Sequence, residues 1–480
     1  MLQPLDYVTI AAYLLLAVII GIKVGGNPSS TNSYFNTRGE VPWWAVSFSI
    51  VATETSMLTV ISVPAISYLG TLQFLQIAIG YILGRIILSF TLLPSYFFGK
   101  QETAYTFLGK RFGNNFKRII SVIFLITRLL ADGVRLFAAA IPIKMITGLD
   151  YNVSIAIIAL LTLAYTFYGG LKSVIWIDVL QLGVYVLGGF LIIGFIQHGM
   201  EGAWINEVTA ESKLSLISWP DSLADLFISP YNLVGAVIGG LFLTMASHGT
   251  DHLIVQRLLA CPTLKEARKA LISSGVFVFL QFMLFLAVGL FLFEYYGGSS
   301  VATLGLERAD EIVPKFVIEV LPVGISGLII AGLFAAAMST LSSSLAALSS
   351  STIFDLFPKL AEHVNSLKYS RYLMVFWAFI FLLFAVSFSS MNNPVIELGL
   401  GIAGFTYGGL LGAFFLGRYT QASTRDAITG LIVCISTMTA VILLELVAWP
   451  WYTFLGVCTY FIAVYIAQMI SGWSSINQFK

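Results

Sequence analysis

The sequence predicts an all-α polytopic membrane protein with about 13 transmembrane helices, folded as a single transmembrane domain over residues 1–480. Three observations predict this fold class. Hydrophobic residues make up 58% of the 480 positions and charged residues only 10%, whereas soluble domains carry about 25% charged residues. Apolar runs recur along the whole chain, and the mean hydropathy is +0.90. The loops between these runs divide Lys and Arg unequally, as loops on the two sides of a membrane do.

A spanning helix needs about 20 mostly apolar residues, and thirteen segments qualify. They lie at 5–24, 41–69, 71–98, 116–147, 151–168, 173–196, 230–256, 270–293, 316–350, 371–390, 394–416, 427–446 and 449–472. An odd number of spans places the two termini on opposite sides of the membrane. No basic region precedes the first span and no small-residue cleavage site follows it, so we expect a retained first helix and no signal peptide.

The distribution of Lys and Arg predicts the orientation. Eighteen of the 25 fall in loops or at the adjoining ends of spans on one side, and only Lys213, Arg308 and Lys315 fall on the other. Because positive loops stay cytoplasmic, we expect a multi-pass protein of the cell inner (plasma) membrane with its N-terminus outside and its C-terminus inside. The other four basic residues lie within predicted spans: Arg85, Arg128, Arg135 and Lys144.

The composition argues against several function classes. Cys261, Cys434 and Cys458 are scattered in apolar sequence and fit neither a disulfide framework nor a zinc site. No basic patch is interleaved with aromatic residues, so nucleic acid is not an expected partner. No nucleophile is paired with a base and no metal constellation is visible, so we do not expect an enzyme. Membrane lipid surrounds the chain, and no obligatory protein partner is evident.

The second span is too polar in its middle for a helix that faces lipid. Residues 52–59 read ATETSMLT, and a carboxylate such as Glu54 at membrane depth costs about 2.5–3.5 kcal/mol. Pro64 also removes a backbone donor. A helix broken at the midplane frees carbonyl oxygens that can bind a cation. The alternative is a kinked helix whose hydroxyls bond back to its own carbonyls; Glu54 favours a site.

The seventh span contains a comparable interruption, at residues 245–252 with the sequence MASHGTDH. Gly, Ser and Asp in series weaken a helix, so this segment is either a second break or the cytoplasmic end of the helix. His248 and His252 are spaced as metal ligands are, but no third ligand lies nearby in the sequence.

The ninth span carries the densest cluster of hydroxyls, in 335–344 with the sequence AAAMSTLSSS. Ala336, Ser339, Thr340 and Ser343 share one helix face, since they are spaced by three and four residues. Small residues at this spacing can mean close helix packing only. Many buried hydroxyls add desolvation cost without adding packing, so the face also suits a sodium ion.

Two further groups of charges lie within spans. Arg128, Asp132 and Arg135 share a face of the fourth span, so they either form a structural ion pair or leave one guanidinium to bind a solute carboxylate. In the sixth span, Asp178 is either a satisfied charge near Lys172 or a cation ligand that reaches the ninth span.

Four motifs in order carry a resemblance to a known family. They are VPWWA at 41–45 with ATETS at 52–56, YGG at 168–170 with VIWID at 174–178, GTD at 249–251 with VQR at 255–257, and AAAMST at 335–340. With these the chain resembles the bacterial sodium:solute symporter family, whose members include proline, sialic acid, pantothenate and sugar transporters. The match runs from the first span to at least the eleventh.

The resemblance implies the inverted-repeat fold of the leucine-transporter group. One extra helix would precede a first five-helix repeat at about 41–196 and a second at about 230–416, and two C-terminal helices would follow. A main sodium site would be formed by backbone oxygens of Ala52, Thr55 and Ala336 and hydroxyls of Ser339 and Thr340. A second sodium site would comprise Asp178, Ser342 and Ser343.

The resemblance also implies a solute site beside the broken second span. Ser56 and Thr59 match substrate-contacting positions of the sialic acid carriers. Glu54 stands where the proline carriers have an aspartate and the sialic acid carriers a neutral residue. Arg128 and Arg135 straddle the position of the arginine that grips the sialic acid carboxylate. The solute-binding candidates are Glu54, Ser56, Thr59, Phe74, Gln76, Arg135, Ser247 and Phe405, the last lying beside Thr406 and Tyr407 in a segment suited to gating.

The predicted function is sodium-coupled symport of a small organic solute into the cell by alternating access, with one sodium ion or two. The arginines favour an amino acid or another carboxylate as solute. Three alternatives stay open: a proton-coupled symporter of the same fold that uses Glu54 or Asp178, a sodium-coupled sugar carrier, and a sensor built on a transporter fold. The hydroxyls of Ser339 and Thr340 favour sodium over the proton.

Overall fold

The computed structural model describes residues 2–98, 101–199, 212–387 and 395–477, and the regular secondary structure within these ranges is helical. The main helices are α1 (Pro4–Gly25), α2 (Trp43–Glu54), α3 (Met57–Leu69), α4 (Leu75–Phe90), α5 (Asn114–Thr147), α6 (Tyr151–Gly199), α7 (Leu233–Gly249), α8 (His252–Leu259), α9 (Leu264–Tyr295), α10 (Ile325–Ser351), α11 (Ser366–Ser387), α12 (Val395–Tyr419), α13 (Thr424–Leu443) and α14 (Trp451–Asn477). Short helices lie at Thr31–Phe35, Leu93–Phe97, Thr106–Phe112, Leu223–Ile228, Ala309–Glu311, Ile312–Glu319, Thr352–Leu356 and Pro358–Ala361.

Each predicted span overlaps one or two of these helices, but length and apolar composition alone identify fewer membrane-crossing helices. Within the described ranges eight helices meet those criteria, or nine if α2 and α3 count as one bent span. α4 has only 16 residues, and α5 carries Arg128, Asp132 and Arg135 within two turns. The fold class is confirmed as all-helical with many apolar helices, and the count of thirteen stays a prediction.

The predicted break in the second span is confirmed. α2 ends at Glu54 and α3 begins at Met57, and the two axes differ by 68°. Thr55 and Ser56 are extended, with ψ angles of 106° and 171°. The backbone N–H of Ser56 donates to the hydroxyl of Thr59 at 3.3 Å, which closes the first turn of α3. Pro64 lies inside α3 without ending it, so the polar segment and not the proline breaks the span.

The interruption in the seventh span is a second break and not the end of the helix. α7 ends at Gly249, and α8 continues from His252 with all eight of its residues buried. Asp251 is extended and starts α8, because its carboxylate accepts a hydrogen bond from the N–H of Leu253 at 3.0 Å. A side-chain oxygen at this position satisfies one of the unpaired donors at a helix N-terminus.

Helix α10 is the centre of the bundle. Its most apolar window is 89% buried, compared with 28–56% for the other long apolar helices. A helix buried on all faces needs partners for its polar side chains in several directions. The backbones of α4 and α7 are in direct contact, because a Cβ on Gly80 would lie only 2.3 Å from the carbonyl oxygen of Val237. Small residues at such contacts let membrane helices approach closely.

A glycine corner divides α6 where the sequence predicts the turn between the fifth and sixth spans. Gly170 has a φ of 59° and interrupts the helical conformation. A Cβ there would lie 2.3 Å from the carbonyl oxygen of Tyr34, so both the backbone angle and the space require glycine. α1 packs beside this corner, and a Cβ on Gly25 would lie 2.2 Å from Cα of Gly169.

The first helix is tied to the central helix by one carboxylate. Asp6 is 2% exposed, and its Oδ1 accepts hydrogen bonds from the N–H groups of Gly324 at 2.7 Å and Gly327 at 2.9 Å. These donors lie at the N-terminus of α10, where unpaired N–H groups and the helix dipole favour a negative charge. Asp6 therefore caps α10 from another helix.

We predict that Asp6→Ala lowers the stability of the protein by about 1–2 kcal/mol, because two N–H groups of α10 lose their acceptor. The measurement is the midpoint of thermal unfolding of the purified protein in detergent. Glu362→Ala, at an exposed position, is the control and should leave the midpoint unchanged. Equal midpoints for Asp6→Ala and the parent would show that the cap contributes nothing.

Candidate functional site

The break between α2 and α3 lies against the hydroxyl-rich face of α10. The hydroxyls of Thr53 and Ser343 are 3.1 Å apart and buried, which joins the end of α2 directly to α10. The hydroxyl of Thr55 donates to the carbonyl of Val51 at 2.8 Å and contacts the amide of Gln281 in α9 at 2.7–3.0 Å. Its hydroxyl is therefore engaged, and the backbone carbonyl is what Thr55 can offer an ion.

The five residues predicted for the main sodium site are all buried. Their exposed fractions run from 0% to 6% for Ala52, Thr55, Ala336, Ser339 and Thr340. The hydroxyl of Thr340 donates to the carbonyl of Ala336 at 3.3 Å, and that of Ser339 donates to Asp178 at 2.7 Å. Both hydroxyl oxygens keep lone pairs that can face a cation. Buried, uncharged oxygens from a broken helix and its neighbour fit a sodium ion.

Asp178 lies at the centre of a buried network that joins α2, α6, α8 and α10. Its Oδ1 accepts from Ser339, and its Oδ2 accepts from Ser49 at 2.6 Å and from Nη2 of Arg257 at 3.1 Å. Arg257 also donates to Ser49 at 2.8 Å and to Ser343. Both charged side chains are 0% exposed. The network therefore contains one positive and one negative charge.

The structure corrects one reading of Asp178. Lys172 pairs with Glu40 at 2.9 Å and not with Asp178. The counter-ion of Asp178 is Arg257, one of the eighteen basic residues predicted on the cytoplasmic side. Its position in the VQR motif, six residues after Asp251, is the sequence feature that could have indicated a role in the site. Of the other predicted second-site residues, Ser342 donates to the carbonyl of Ser339 at 3.0 Å, as Ser343 does at 2.7 Å.

The charges of α5 form a neutral cluster, so the predicted surplus guanidinium is wrong. Arg128 donates from Nε to Asp251 at 2.8 Å and from Nη1 to Asp132 at 3.4 Å. Arg135 donates to Asp132 at 3.1 Å. Two guanidinium groups thus meet two carboxylates. Asp251 arrives from the α7–α8 break, 123 residues away, which is why the sequence of α5 alone miscounts the charge.

The same cluster reaches two further helices. The hydroxyl of Ser344 in α10 donates to Asp132 at 2.5 Å. Tyr407 in α12 accepts from Arg128 at 2.7 Å and donates to Asp251 at 3.1 Å. Thr406 beside it accepts from Thr127 at 3.2 Å, and Phe405 is half-buried. The predicted gating segment therefore contacts the ionic cluster through Tyr407.

The charge of Glu54, at the end of α2, is neutralised by a buried arginine of α4, Arg85. Its Oε2 accepts from Nη2 of Arg85 at 2.5 Å and lies 3.6 Å from Nε2 of His248. The Arg85 side chain is 0% exposed, whereas that of Glu54 is 21% exposed. Arg85 also donates to Ser274 at 2.7 Å. Part of the Glu54 side chain thus stays exposed beside the break, while its counter-ion is fully buried.

The other solute-binding candidates divide into two groups. Phe74 packs edge-on against Phe282 of α9 with ring centroids 5.1 Å apart. Ser56 lies in the α2–α3 break, and Thr59 lies in the first turn of α3. Gln76 requires a correction, because it is 1% exposed and binds the segment that precedes α7. Its amide donates to the carbonyl of Tyr231 at 2.7 Å and accepts from the N–H of Ser218 at 3.3 Å.

The histidines and Ser247 have separate partners. Nδ1 of His248 lies 2.8 Å from the hydroxyl of Ser247, so Ser247 supports the histidine beside Glu54. His252 accepts from the N–H of Ala104 at 3.3 Å and lies 3.1 Å from Ser350. A third histidine, cysteine or carboxylate that could complete a metal site with these residues is absent from the described ranges.

A fourth ion pair lies at the C-terminal end of α10. Nζ of Lys117 is 3.0 Å from Asp355. The carboxylate also accepts from Thr103 at 2.6 Å and from Ser351 at 2.9 Å. The sequence predicts Lys117 among the positive residues of the cytoplasmic side and indicates no role for Asp355, since the two residues are far apart in the chain.

We predict that Arg128→Leu destabilises the protein by about 3–5 kcal/mol, because it leaves the buried carboxylate of Asp251 without its counter-ion. Thermal unfolding in detergent measures the effect. The double variant Arg128→Leu/Asp251→Leu should be more stable than Arg128→Leu alone. Arg135→Gln is the matched control with a cost under about 1 kcal/mol, since its side chain is 27% exposed. Additive losses in the double variant would contradict the pairing.

Known proteins resemble the chain over nearly its whole length. A family model described as Sodium:solute symporter family matches residues 34–434. The chain is 28% identical over 452 residues to the sodium/sialic acid symporter of Proteus mirabilis, across 91% of this chain and 89% of that protein. It is 27% identical over 445 residues to sodium-coupled monocarboxylate transporter 2 of Homo sapiens, across 89% of this chain and 70% of that protein.

A solved structure extends the likeness to three dimensions. It is a Na⁺-coupled sialic acid symporter in a substrate-bound outward-open state, described as revealing a novel Na⁺ site. The overlap covers 98% of both chains with a TM-score of 0.85 and 26% sequence identity. This likeness confirms the predicted fold class, the leucine-transporter-type fold of a membrane transporter.

Proposed function

Because the chain belongs to the sodium:solute symporter family and is a sodium-coupled solute symporter, we propose that it imports a small carboxylate-bearing solute by alternating access. The observation that carries the proposal is the broken span α2–α3 against the hydroxyl face of α10. Sodium bound there would hold Ala52 and Thr55 to Ala336, Ser339 and Thr340 and so complete the pocket beside the break. The ion supplies the driving force, about 2.3 kcal/mol per charge per 100 mV.

A second sodium ion would use Asp178 with Ser342 and Ser343. These residues meet in one buried network, and the related sialic acid symporter structure is described as revealing a novel Na⁺ site. The residues fit the ion because a carboxylate and two hydroxyls are oxygen ligands of the kind that a hard cation binds. Two sodium ions would double the electrical contribution to solute accumulation.

The solute would lie beside the break, between two partly exposed charges. Arg135 uses Nη1 for Asp132 and is 27% exposed, so its guanidinium can also receive a carboxylate. Glu54 can accept a hydrogen bond from a hydroxyl or amino group of the solute. Ser56, Thr59 and Phe74 would line the pocket. The names of relatives include a monocarboxylate and a sialic acid carrier, which supports a carboxylate.

The proposed orientation and the sodium gradient together describe the transport cycle. With the positive loops cytoplasmic and the N-terminus outside, the two breaks lie near the membrane midplane between repeats at about 41–196 and 230–416. Rocking of the broken helices against the rest of the bundle would expose the pocket first outside and then inside. The sodium gradient then drives solute into the cell.

We predict that Thr340→Ala raises the sodium concentration needed for half-maximal thermal stabilisation at least about tenfold, since roughly 1.4 kcal/mol of a lost ligand is a factor of ten. Ser349→Ala is the matched control on the same helix, because its buried hydroxyl has no partner among the described residues. Unchanged sodium dependence in Thr340→Ala would remove this residue from the main site.

We predict that a carboxylate-bearing solute stabilises the purified protein in sodium but not in potassium. The measurement is the thermal unfolding midpoint against amino acids, other organic acids and neutral sugars at equal ionic strength. Arg135→Gln should reduce the stabilisation by carboxylates, and the exposed Arg308→Gln should not. A neutral sugar that stabilises the protein in sodium, while no carboxylate does, would contradict the proposed solute class.

A further inference from the structure

Arg257 holds the same side chains that a second sodium ion would need. Its Nη2 donates to Asp178 at 3.1 Å and also to the hydroxyl of Ser343. Its Nε donates to Ser49, whose hydroxyl in turn donates to the same carboxylate oxygen at 2.6 Å. The guanidinium therefore occupies two of the three predicted ligands, Asp178 and Ser343.

Charge makes sharing of these ligands unfavourable. Arg257 and Asp178 are both 0% exposed, so water screens little of the repulsion between a guanidinium and a sodium ion on one carboxylate. One carboxylate also compensates only one positive charge. The hydroxyl oxygen of Ser343 accepts a hydrogen bond from Arg257 through a lone pair that a cation would also need. Arg257 and the ion thus compete for both charge and oxygen atoms.

We infer that Arg257 and a sodium ion are alternative partners of Asp178, so that sodium binds the second site only as Arg257 withdraws. The inference rests on the proposed function, which places a sodium ion at Asp178, and it adds the residue that controls the occupancy of that site. Arg257 is a positioning residue for α8 in one state and leaves its ligands to the ion in the other.

A neighbouring side chain supports the presence of a polar space for the ion. Gln181 lies three residues beyond Asp178 on α6, so both share one helix face. It is 0% exposed, and its amide makes no hydrogen bond of normal length within the described ranges, although the hydroxyls of Tyr13 and Tyr165 lie near it. A buried amide that is only weakly partnered is costly. An ion that arrives with attached water would give this amide a closer partner.

The exchange connects the ion to the second broken helix. α8 is held at its N-terminal end by Asp251, which binds Arg128 of α5, and at its C-terminal end by Arg257. These two attachments have opposite sign and lie six residues apart. Sodium at Asp178 would release one attachment and leave the other, so that α8 can pivot on Asp251. Occupancy of the second site would thereby shift the equilibrium between the two positions of α8.

The test is a sodium titration of the full-length purified protein in detergent, without solute, with choline chloride keeping the ionic strength constant. Thermal unfolding reports the concentration of half-maximal stabilisation. If Arg257 occupies Asp178 in about nine of ten molecules, its removal tightens apparent binding roughly tenfold. Arg257→Gln should therefore lower the half-maximal concentration about tenfold, and Arg257→Gln/Asp178→Asn should return it to the parental value.

Arg257→Lys separates charge from shape. It keeps the positive charge, so its half-maximal concentration should stay within about threefold of the parent. A tenfold decrease in Arg257→Lys, no decrease in Arg257→Gln, or a decrease that survives Asp178→Asn would each overturn the inference. Sodium that stabilises the parent and Arg257→Gln equally contradicts the inference but leaves the proposed function. No sodium response in the parent contradicts the proposed function itself.

Hydrogen exchange of the parent gives a second measurement that needs no substitution at Arg257. Sodium in place of potassium should accelerate amide exchange in residues 252–259 of the parent more than in Asp178→Asn. Equal changes in both proteins would overturn the inference even if Arg257→Gln cannot be purified. The exposed Glu362→Ala variant, at a position remote from this network in the sequence, should behave as the parent does.

Discussion

The neutralisation of charge inside the bundle is the constraint on which this structure depends. A charge at membrane depth is costly, and removal of its partner costs about 3–5 kcal/mol. Four groups each combine equal numbers of positive and negative side chains: Glu54 with Arg85, Arg128 and Arg135 with Asp132 and Asp251, Asp178 with Arg257, and Lys117 with Asp355. Each group includes a pair of side chains from different parts of the fold, so these pairs also fix how the helices are arranged.

Three of these four groups contact helix α10. Its Ser339, Ser344 and Ser351 donate to three different buried carboxylates, those of Asp178, Asp132 and Asp355. At about 100° per residue, Ser344 and Ser351 share a face two turns apart, whereas Ser339 points in another direction. A serine-rich helix that would be too polar beside lipid is thus suited to a position with charged partners on several sides. Many of its remaining hydroxyls bond back to carbonyls one turn earlier, as in Ser343.

In the proposed mechanism, ion binding changes the charge balance of the bundle. The proposed main sodium site offers uncharged oxygens, so an ion there would add a positive charge that a solute carboxylate could offset. The proposed second site offers Asp178, whose charge Arg257 already neutralises, so an ion there would have to replace a positive group. Glu54 ends α2 and Asp251 starts α8. Charged side chains at helix ends can change partners without unfolding a helix interior, which would couple ion binding to movement of the broken helices.

The sequence by itself determined the membrane fold class, the segments that become helices, the break in the second span and the family, because hydropathy, glycine and polar runs act locally along the chain. It left the interruption of the seventh span open between a second break and a helix end. It also indicated Ser339, Thr340 and Asp178. Only the tertiary structure decided which charged side chain pairs with which. Asp251 cancels the charge predicted to be left over on α5, Arg257 and not Lys172 pairs with Asp178, and Gln76 holds a loop. These partners are between 79 and 155 residues apart, and ion pairs and hydrogen bonds act through space, so local pattern carries no record of them.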